Sequence, residues 1–455
     1  MIKNISVVGL GKLGASMVAG FASRGFNVVG VDISQRAVDA INKGLAPVQE
    51  TNLGKIIGEN KDRISATTST QEAVDRSDIT FVIVPTPSDS YGSFSLEYVK
   101  VVCRALGQAL KKKPSYHLIV LTSTVLPGST RYGLLPILEQ ESEKRCGVDF
   151  GLCYNPEFIA LGSVIRDFLN PDFYLLGQFD VKSGDLLEAV HNQVSQNMAP
   201  VKRMSLENAE LAKVSINSYV TMKISFANMM AQFCEQIPGG DVDVVSDALG
   251  MDSRIGRKYL TGGLGFSGPC FPRDNVALNY LGNKLNVESG LLKINDECNQ
   301  KLMARNLAVL RGVIPKGSSI SVLGLAYKPL SHIIEQSAGM QLCQLLADDG
   351  FRVVGHDVLA AAEANAVLKG RAYITDNLTE ALSGADVIFV TTIDDCYVNL
   401  KASQLIGRNG KPVVLVDFWR CLKSLQHAKN VHYIPMGICL DGPMAEKTLR
   451  TLWTQ

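Results

Sequence analysis

The chain has 455 residues, 46% hydrophobic and 20% charged, a globular composition that excludes intrinsic disorder. Its length sets a prior of about three domains, each long enough to bury a core. Lysine and arginine number 45 against 44 acidic residues, a formal net charge of +1, so no global basic field draws it to nucleic acid or an anionic membrane.

The N-terminus, Met1 to Gly9, lacks a signal-peptide layout and reads as a first strand. Short β-rich runs at Ile5–Val8, Val28–Val31, Ile79–Val84 and Leu118–Leu121 alternate with helical patterns at Leu13–Arg24 and Leu96–Lys111. Such alternation predicts a parallel sheet covered on both faces. The stretch Asn155–Gly177 reads as less regular. Leu206–Glu235 then reads as one long helix, uninterrupted until Pro238-Gly239-Gly240, of the kind that links domains or carries a dimer seam. A glycine-rich loop, Gly262 to Gly268, breaks the helical middle.

The last third echoes the first. Phe351 to Asp357 repeats the pattern of Phe26 to Asp32, Ala381 to Val390 that of Ala73 to Val82, and Ile320 to Gly324 that of Ile5 to Gly9. The expected fold is α/β: two Rossmann-like doubly wound domains joined by a long central helix and a helical middle. The expected division is residues 1–202, 203–312 and 313–455. No run of 18 apolar residues predicts a membrane span. The ten cysteines form no Cys-x-x-Cys pair and the six histidines no His-x-x-x-His, so reduced thiols, a cytoplasmic setting and no metal site are expected.

Gly9-Leu10-Gly11-Lys12-Leu13-Gly14 follows a strand and opens a helix, the context in which a Gly-x-Gly-x-x-Gly turn holds a dinucleotide pyrophosphate on a helix N-terminus. Asp32 ends the second strand, where a carboxylate accepts ribose hydroxyls and repels a 2′-phosphate; NAD is therefore expected over NADP, with Arg36 close enough to soften that preference. In the second echo, Gly324-Leu-Ala-Tyr327-Lys328 lacks the second and third glycines, so the same dinucleotide mode is not expected there. A basic residue at that strand end can still meet a phosphate.

Cys270 stands after the glycine-rich loop in Ser267-Gly268-Pro269-Cys270-Phe271-Pro272-Arg273-Asp274. The glycines open access to the thiol, and the cation of Arg273 favours the thiolate, which is the nucleophile. Lys213 and Asn217 are four apart on the long helix and share a face suited to a developing oxyanion, with Glu210 on the same flank and Lys223 beyond. Glu157, in Asn155-Pro156-Glu157-Phe158, is a candidate acid or base whose pKa the neighbouring Phe raises. Thr86 and Ser123-Thr124 end strands on the ligand side of the first sheet.

Taken together these motifs resemble the UDP-glucose/GDP-mannose dehydrogenase family, the nucleotide-sugar 6-dehydrogenases. The matching pieces are Gly9–Gly14, Asp32, Thr86-Pro87, Ser123-Thr124-Val125 with Pro127-Gly128, Asn155–Phe158, Glu210 through Lys213 to Asn217, Asp252–Gly256, the Cys270 loop and Gly324–Pro329. They span nearly the whole chain in the family's order. The resemblance implies a four-electron oxidation of a sugar C6 alcohol, UDP-glucose first among substrates, by two NAD molecules, in a soluble homodimer serving polysaccharide biosynthesis. It implies that Cys270 carries a thiohemiacetal and then a thioester. Lys213 and Asn217 would stabilise the oxyanion, and Asp274 and Lys213 would move the alcohol proton through water held by Thr124. Glu157 would assist hydrolysis. Cofactor contacts would come from Gly9, Gly11, Lys12, Leu13, Gly14, Asp32, Arg36, Thr86, Ser123, Thr124 and Arg273. Substrate contacts would come from Phe158, Lys213, Asn217, Arg254, Tyr259, Gly265, Gly268, Tyr327 and Lys328, with Arg254 reaching a neighbouring subunit's substrate and Arg420 adding a base or phosphate contact.

The chain departs from the family pattern at Leu161, where a second carboxylate is usual, at Arg273 for Lys, at Ser267-Gly268-Pro269 for Gly-Gly-Ser, and at Glu335 for Arg. Two other readings compete. One is a two-electron 3-hydroxyacid-type dehydrogenase, which needs neither Cys270 nor a third domain; the other is a non-catalytic nucleotide-sugar or NAD sensor.

Overall fold

The computed structural model describes residues 2–159 and 162–454. The chain folds as two compact units, Met1–Ile216 with Tyr280–Asn286, and Asn217–Asn279 with Val287–Gln455.

The first unit is built on eight strands: β1 (Asn4–Val8), β2 (Asn27–Val31), β3 (Ile64–Thr67), β4 (Ile79–Val82), β5 (His117–Leu121), β6 (Phe150–Tyr154), β7 (Tyr174–Gln178) and β8 (Val201–Ser205). Their order is β3-β2-β1-β4-β5-β6-β7-β8, parallel except where β7 runs antiparallel to β6. The first six make the doubly wound order of a dinucleotide-binding sheet. Both faces are covered, so β1, β4 and β5 are buried almost throughout, down to the polar Ser6, Thr80 and His117. Phe21 of the helix Lys12–Ser23 packs on Phe81 of β4 and edge-on against Phe168, centroids 4.8 and 5.1 Å away, in the largest core cluster. The stretch read as less regular, Asn155–Gly177, contains the helix Val164–Leu169 and most of β7. Six helical residues and a three-residue apolar run are too short to show a period in the sequence.

The second unit carries β9 (Ser319–Leu323), β10 (Arg352–His356), β11 (Tyr373–Thr375), β12 (Val387–Val390), β13 (Val413–Asp417) and β14 (Val431–Pro435), all parallel, in the order β11-β10-β9-β12-β13-β14. This repeats the order of the first six strands, as the echoed motifs predict. The helical middle consists of Leu206–Glu235, Val242–Met251, Phe271–Lys284 and Gly290–Leu310. No helix among the described residues is long and apolar enough to cross a membrane.

One expectation about the second sheet is corrected. Gly9 has φ +102°, and a methyl on Gly14 would overlap the Gly9 carbonyl oxygen, so only glycine lets the helix sit this close to the turn. Gly324 has φ +105°, and a methyl on Gly339 would overlap the Gly324 carbonyl oxygen in the same way. The third glycine is therefore present, moved along the chain by the loop that holds Tyr327, Lys328 and Glu335; only the second is missing. Gly339→Ala is expected to destabilise the protein by about 1–3 kcal/mol or more, the usual cost of overpacking. Denaturant unfolding checks this, and an unchanged midpoint would show that the helix Ala338–Asp348 can shift freely.

Candidate active site

At the C-terminal end of β1, Gly9 N–H donates to Val31 O at 2.7 Å and turns the chain into the helix Lys12–Ser23. Gly11 precedes that helix without a side-chain cap, and a methyl there would meet nothing within 4 Å. Open space over a helix N-terminus suits a pyrophosphate, and a dinucleotide fits the residues present. Asp32 accepts from Leu10 N–H at 2.7 Å and Ser34 N–H at 2.8 Å, which aims its carboxylate while leaving lone pairs for a ribose. Thr86 Oγ1 donates to Thr124 O and Ser123 Oγ to Val84 O, both at 2.7 Å, tying together the segments after β4 and β5. Arg36 is exposed on its helix.

The second sheet has an aspartate in the matching place. Asp357 follows β10 and accepts four backbone N–H groups, from Leu325, Ala326, Leu359 and Ala360, each at 2.9 Å. A carboxylate has about four lone-pair sites. Its acceptor capacity is consumed by the fold, whereas Asp32 keeps lone pairs open.

In the first unit, β6 runs into Asn155-Pro156-Glu157-Phe158. Lys213 Nζ donates to the Glu157 carbonyl at 2.6 Å and lies 4.4 Å from the centroid of the Phe158 ring. Glu157 keeps some exposed surface, but its Oε1 is enclosed with no hydrogen-bond partner among the described residues. Burial pushes this carboxyl up to about 7, against the opposing pull of the Lys213 ammonium. Glu210 is not a chemical group of the site. It is buried and accepts from Gly128 N–H at 2.6 Å and Thr130 N–H at 2.8 Å, so it braces the loop after β5.

In the second unit, Cys270 is exposed. Asp274 N–H donates to Cys270 O at 2.9 Å, so Cys270 stands at the start, the positive end, of the helix Phe271–Lys284. Burial pushes the Cys103 and Cys146 thiols up to about 12. A methyl on Gly268 would strike the Tyr327 ring, so the cysteine loop and the Tyr327-Lys328 segment pack against each other. Asn217 Nδ2 donates to Asp274 Oδ2 at 2.6 Å, and Arg273 lies 3.6 Å from Asp274. Lys213 and Asn217, read as sharing one face of the long helix, fall in different compact units, and the ammonium of one and the amide of the other each donate to an acceptor of their own unit.

Sequence reasoning missed the buried polar network behind Asp274. Thr221 Oγ1 accepts from Asn275 Nδ2 at 3.0 Å and Asn295 Nδ2 at 2.9 Å, and Asn275 Nδ2 also reaches Asp296. Thr221 lies one turn beyond Asn217, and that spacing was the available signal. Arg254 is exposed and paired with Asp252 at 2.6 Å; Lys223 donates to the carbonyls of Ile255 and Gly256. Tyr259 is half exposed at φ +67°. Lys328 Nζ stands 5.7 Å from the Tyr327 ring. Arg420 is corrected: its five donors go to both Asp243 oxygens and to the carbonyls of Phe418, Met436 and Gly262. A guanidinium has five N–H groups, so Arg420 holds structure together and has none left for a base or phosphate.

A cavity of about 440 Å³ adjoins the loop, lined by Gly265, Phe266, Ser267, Asn299, Glu335 and Gln341 among others. Leu161 lies outside the described residues.

Tandem doubly wound sheets, a dinucleotide turn on the first and an accessible cysteine in the middle define a nicotinamide-dependent dehydrogenase with a second nucleotide-type domain. Three models of the UDP-glucose/GDP-mannose dehydrogenase family match in order: the NAD binding domain over residues 3–195, the central domain over 207–301 and the UDP binding domain over 321–424. The chain is 35% identical over 400 residues to the UDP-glucose 6-dehydrogenase of Haloferax volcanii, covering 87% of this chain and 92% of that one. It is 32% identical over 430 residues to the GDP-mannose 6-dehydrogenase of Pseudomonas aeruginosa, covering 91% and 96%. Among solved structures, a UDP-glucose dehydrogenase from Pyrobaculum islandicum matches with a TM-score of 0.86 and 32% identity, over 96% of this chain and 98% of that one. The chain belongs to the UDP-glucose/GDP-mannose dehydrogenase family, NAD-dependent oxidoreductases acting on nucleotide sugars, and NAD is its cofactor.

Proposed function

We propose that the protein oxidises the C6 hydroxyl of UDP-glucose to the carboxylate in four electrons, through a covalent bond to Cys270. The observation that carries this reading is the exposed sulfur at the start of a helix, behind a glycine loop. A two-electron dehydrogenase has no use for it. Bound NAD supplies the hydride acceptor, once for each oxidation.

Asp274 and Lys213 take up the alcohol proton through a water on Thr124 as C6 becomes an aldehyde. The Cys270 thiolate then adds to the carbonyl carbon, forming the carbon–sulfur bond of a thiohemiacetal, with Lys213 and Asn217 stabilising the oxyanion. Loss of the second hydride leaves a thioester. Glu157 takes a proton from water as it attacks, the carbon–sulfur bond breaks, and the thiolate returns. Phe158, Arg254, Tyr259, Gly265, Gly268, Tyr327 and Lys328 are assigned to the nucleotide sugar. Sugar, two NAD⁺ and one water give the uronate, two NADH and three protons. Two NADH per sugar consumed, with acid as product, is the expected stoichiometry. One NADH with an aldehyde or ketone product would overturn the reading, and binding without turnover would make the protein a sensor.

The relatives' names divide between UDP-glucose and GDP-mannose at nearly equal identity. A panel of both, with N-acetylated sugars, is expected to give the highest kcat/KM on UDP-glucose. Preference for GDP-mannose would reassign the base and sugar and leave the chemistry intact.

The assembly assigned to the protein is a homodimer. Tyr219, Phe226, Met229 and Phe233 form an exposed apolar stripe along the long helix, a face that a second copy can cover. Light scattering should give twice the chain mass, and Phe226→Glu should shift it toward monomer. A monomeric parent protein would overturn the assignment.

A further inference from the structure

We propose that His191 is a positioning residue for Glu157, acting through Asn155; the proposal rests on the assignment of Glu157 as the hydrolytic base. His191 sits on the helix Val181–Val194 with no exposed surface, its ring stacked on Tyr174 at 4.1 Å between centroids. Its Nε2 is 2.8 Å from Asn155 Oδ1. Asn155 Nδ2 donates to Leu175 O at 3.1 Å, which fixes the amide with its oxygen toward the imidazole. An amide oxygen only accepts, so Nε2 carries the proton and donates. Nδ1 then faces the interior as a bare lone pair without a hydrogen-bond partner among the described residues. Burial pushes this imidazole down to about 3, so it stays neutral.

A phenylalanine would fill the same space against Tyr174 and leave no orphaned nitrogen. Buried polar groups with an unmet bond need a reason, and among the described residues the imidazole's one hydrogen bond is to Asn155. That residue is held three times: its N–H donates to Leu121 O at 2.8 Å, its amide N–H to Leu175, and its oxygen accepts from His191. Three bonds fix where β6 ends and the direction in which Pro156 carries the chain. Glu157 follows at once, and its carbonyl holds the Lys213 ammonium. The placement of the carboxyl and of the ammonium is thus inherited from Asn155, and the sequence around His191 gives no hint of it.

His191→Phe keeps the ring stack and removes the donor. It should lower kcat about tenfold, the scale expected for a small misplacement of a reacting group, with KM for the sugar nucleotide unchanged and covalent sugar accumulating on the protein. His191→Gln restores a donor and should recover most of the loss. Asn155→Ala, which keeps the imidazole, should reproduce the loss if the phenylalanine variant does not fold. In a Glu157→Gln background His191→Phe should lose clearly less than it does in the parent, keeping only the part that acts through Lys213. A lowered melting temperature with kcat intact would overturn the proposal, as would a loss that adds in full to that of Glu157→Gln. Full turnover by Glu157→Gln alone would strike the base assignment itself, a separate failure.

Discussion

Cys270→Ser is expected to lower formation of the acid by about three orders of magnitude or more, the scale on which losing a covalent nucleophile shows. The reason is ionisation. An ordinary thiol is a few per cent thiolate at neutral pH, and a serine hydroxyl is not ionised at all. The helix N-terminus under residue 270 assists a sulfur anion and has no comparable anion to assist on the oxygen. The aldehyde therefore forms and returns to alcohol without being captured. Product analysis should find no uronate on the time scale of the parent enzyme, and intact-protein mass should show either no sugar or a slowly hydrolysed ester. Binding of NAD, measured by calorimetry, should be unchanged, because the dinucleotide turn Gly9–Gly14 belongs to the other compact unit. Acid at the parental rate would remove Cys270 from the chemistry. The exposed Cys298 provides a control: Cys298→Ser should turn over normally.

What was legible in the sequence was what lies close together along it. Gly9, Gly11 and Gly14 make their turn within six residues, and the long helix Leu206–Glu235 shows itself by thirty residues without Gly or Pro. The echo of the first sheet in the second was readable because strand runs and their Asp endings repeat locally. What was not legible depends on pairs distant in sequence. Gly339 does the work of Gly14 beyond a loop that breaks the motif. Arg420 looked like a free cation near a strand end until Asp243, 177 residues earlier, took its charge. Asp357 stands in the echoed motif where Asp32 stands in the first, and four N–H groups from distant segments and its own turn fill it. Glu50 accepts from Gly162 N–H at 3.1 Å, 112 residues on. In each case only partners distant in the sequence decide what the residue does.

Glu157 is where function and stability should pull apart. A base must be deprotonated, so hydrolysis of the thioester should rise with pH through about 7, the value to which burial pushes this carboxyl. Glu157→Gln should lose that limb, slow turnover by about a hundredfold or more, and accumulate covalent sugar on Cys270. The stability effect has the opposite sign. In the unfolded chain this group titrates near 4.5, and in the fold near 7. Below 4.5 both states are protonated and nothing is lost. Between 4.5 and 7 the folded state binds the extra proton, so stability falls as pH rises, and above 7 the full cost of a buried carboxylate is present. An amide of the same shape carries no such cost. Glu157→Gln should therefore be more stable than the parent above pH 7, by an amount on the order of 1–3 kcal/mol, with the difference vanishing near pH 4. Urea unfolding at pH 5, 7 and 8 measures it. A variant that loses turnover while gaining stability in that pH window marks a carboxyl retained for chemistry; one that loses both would show that Glu157 holds the loop together and that the proton acceptor is another group.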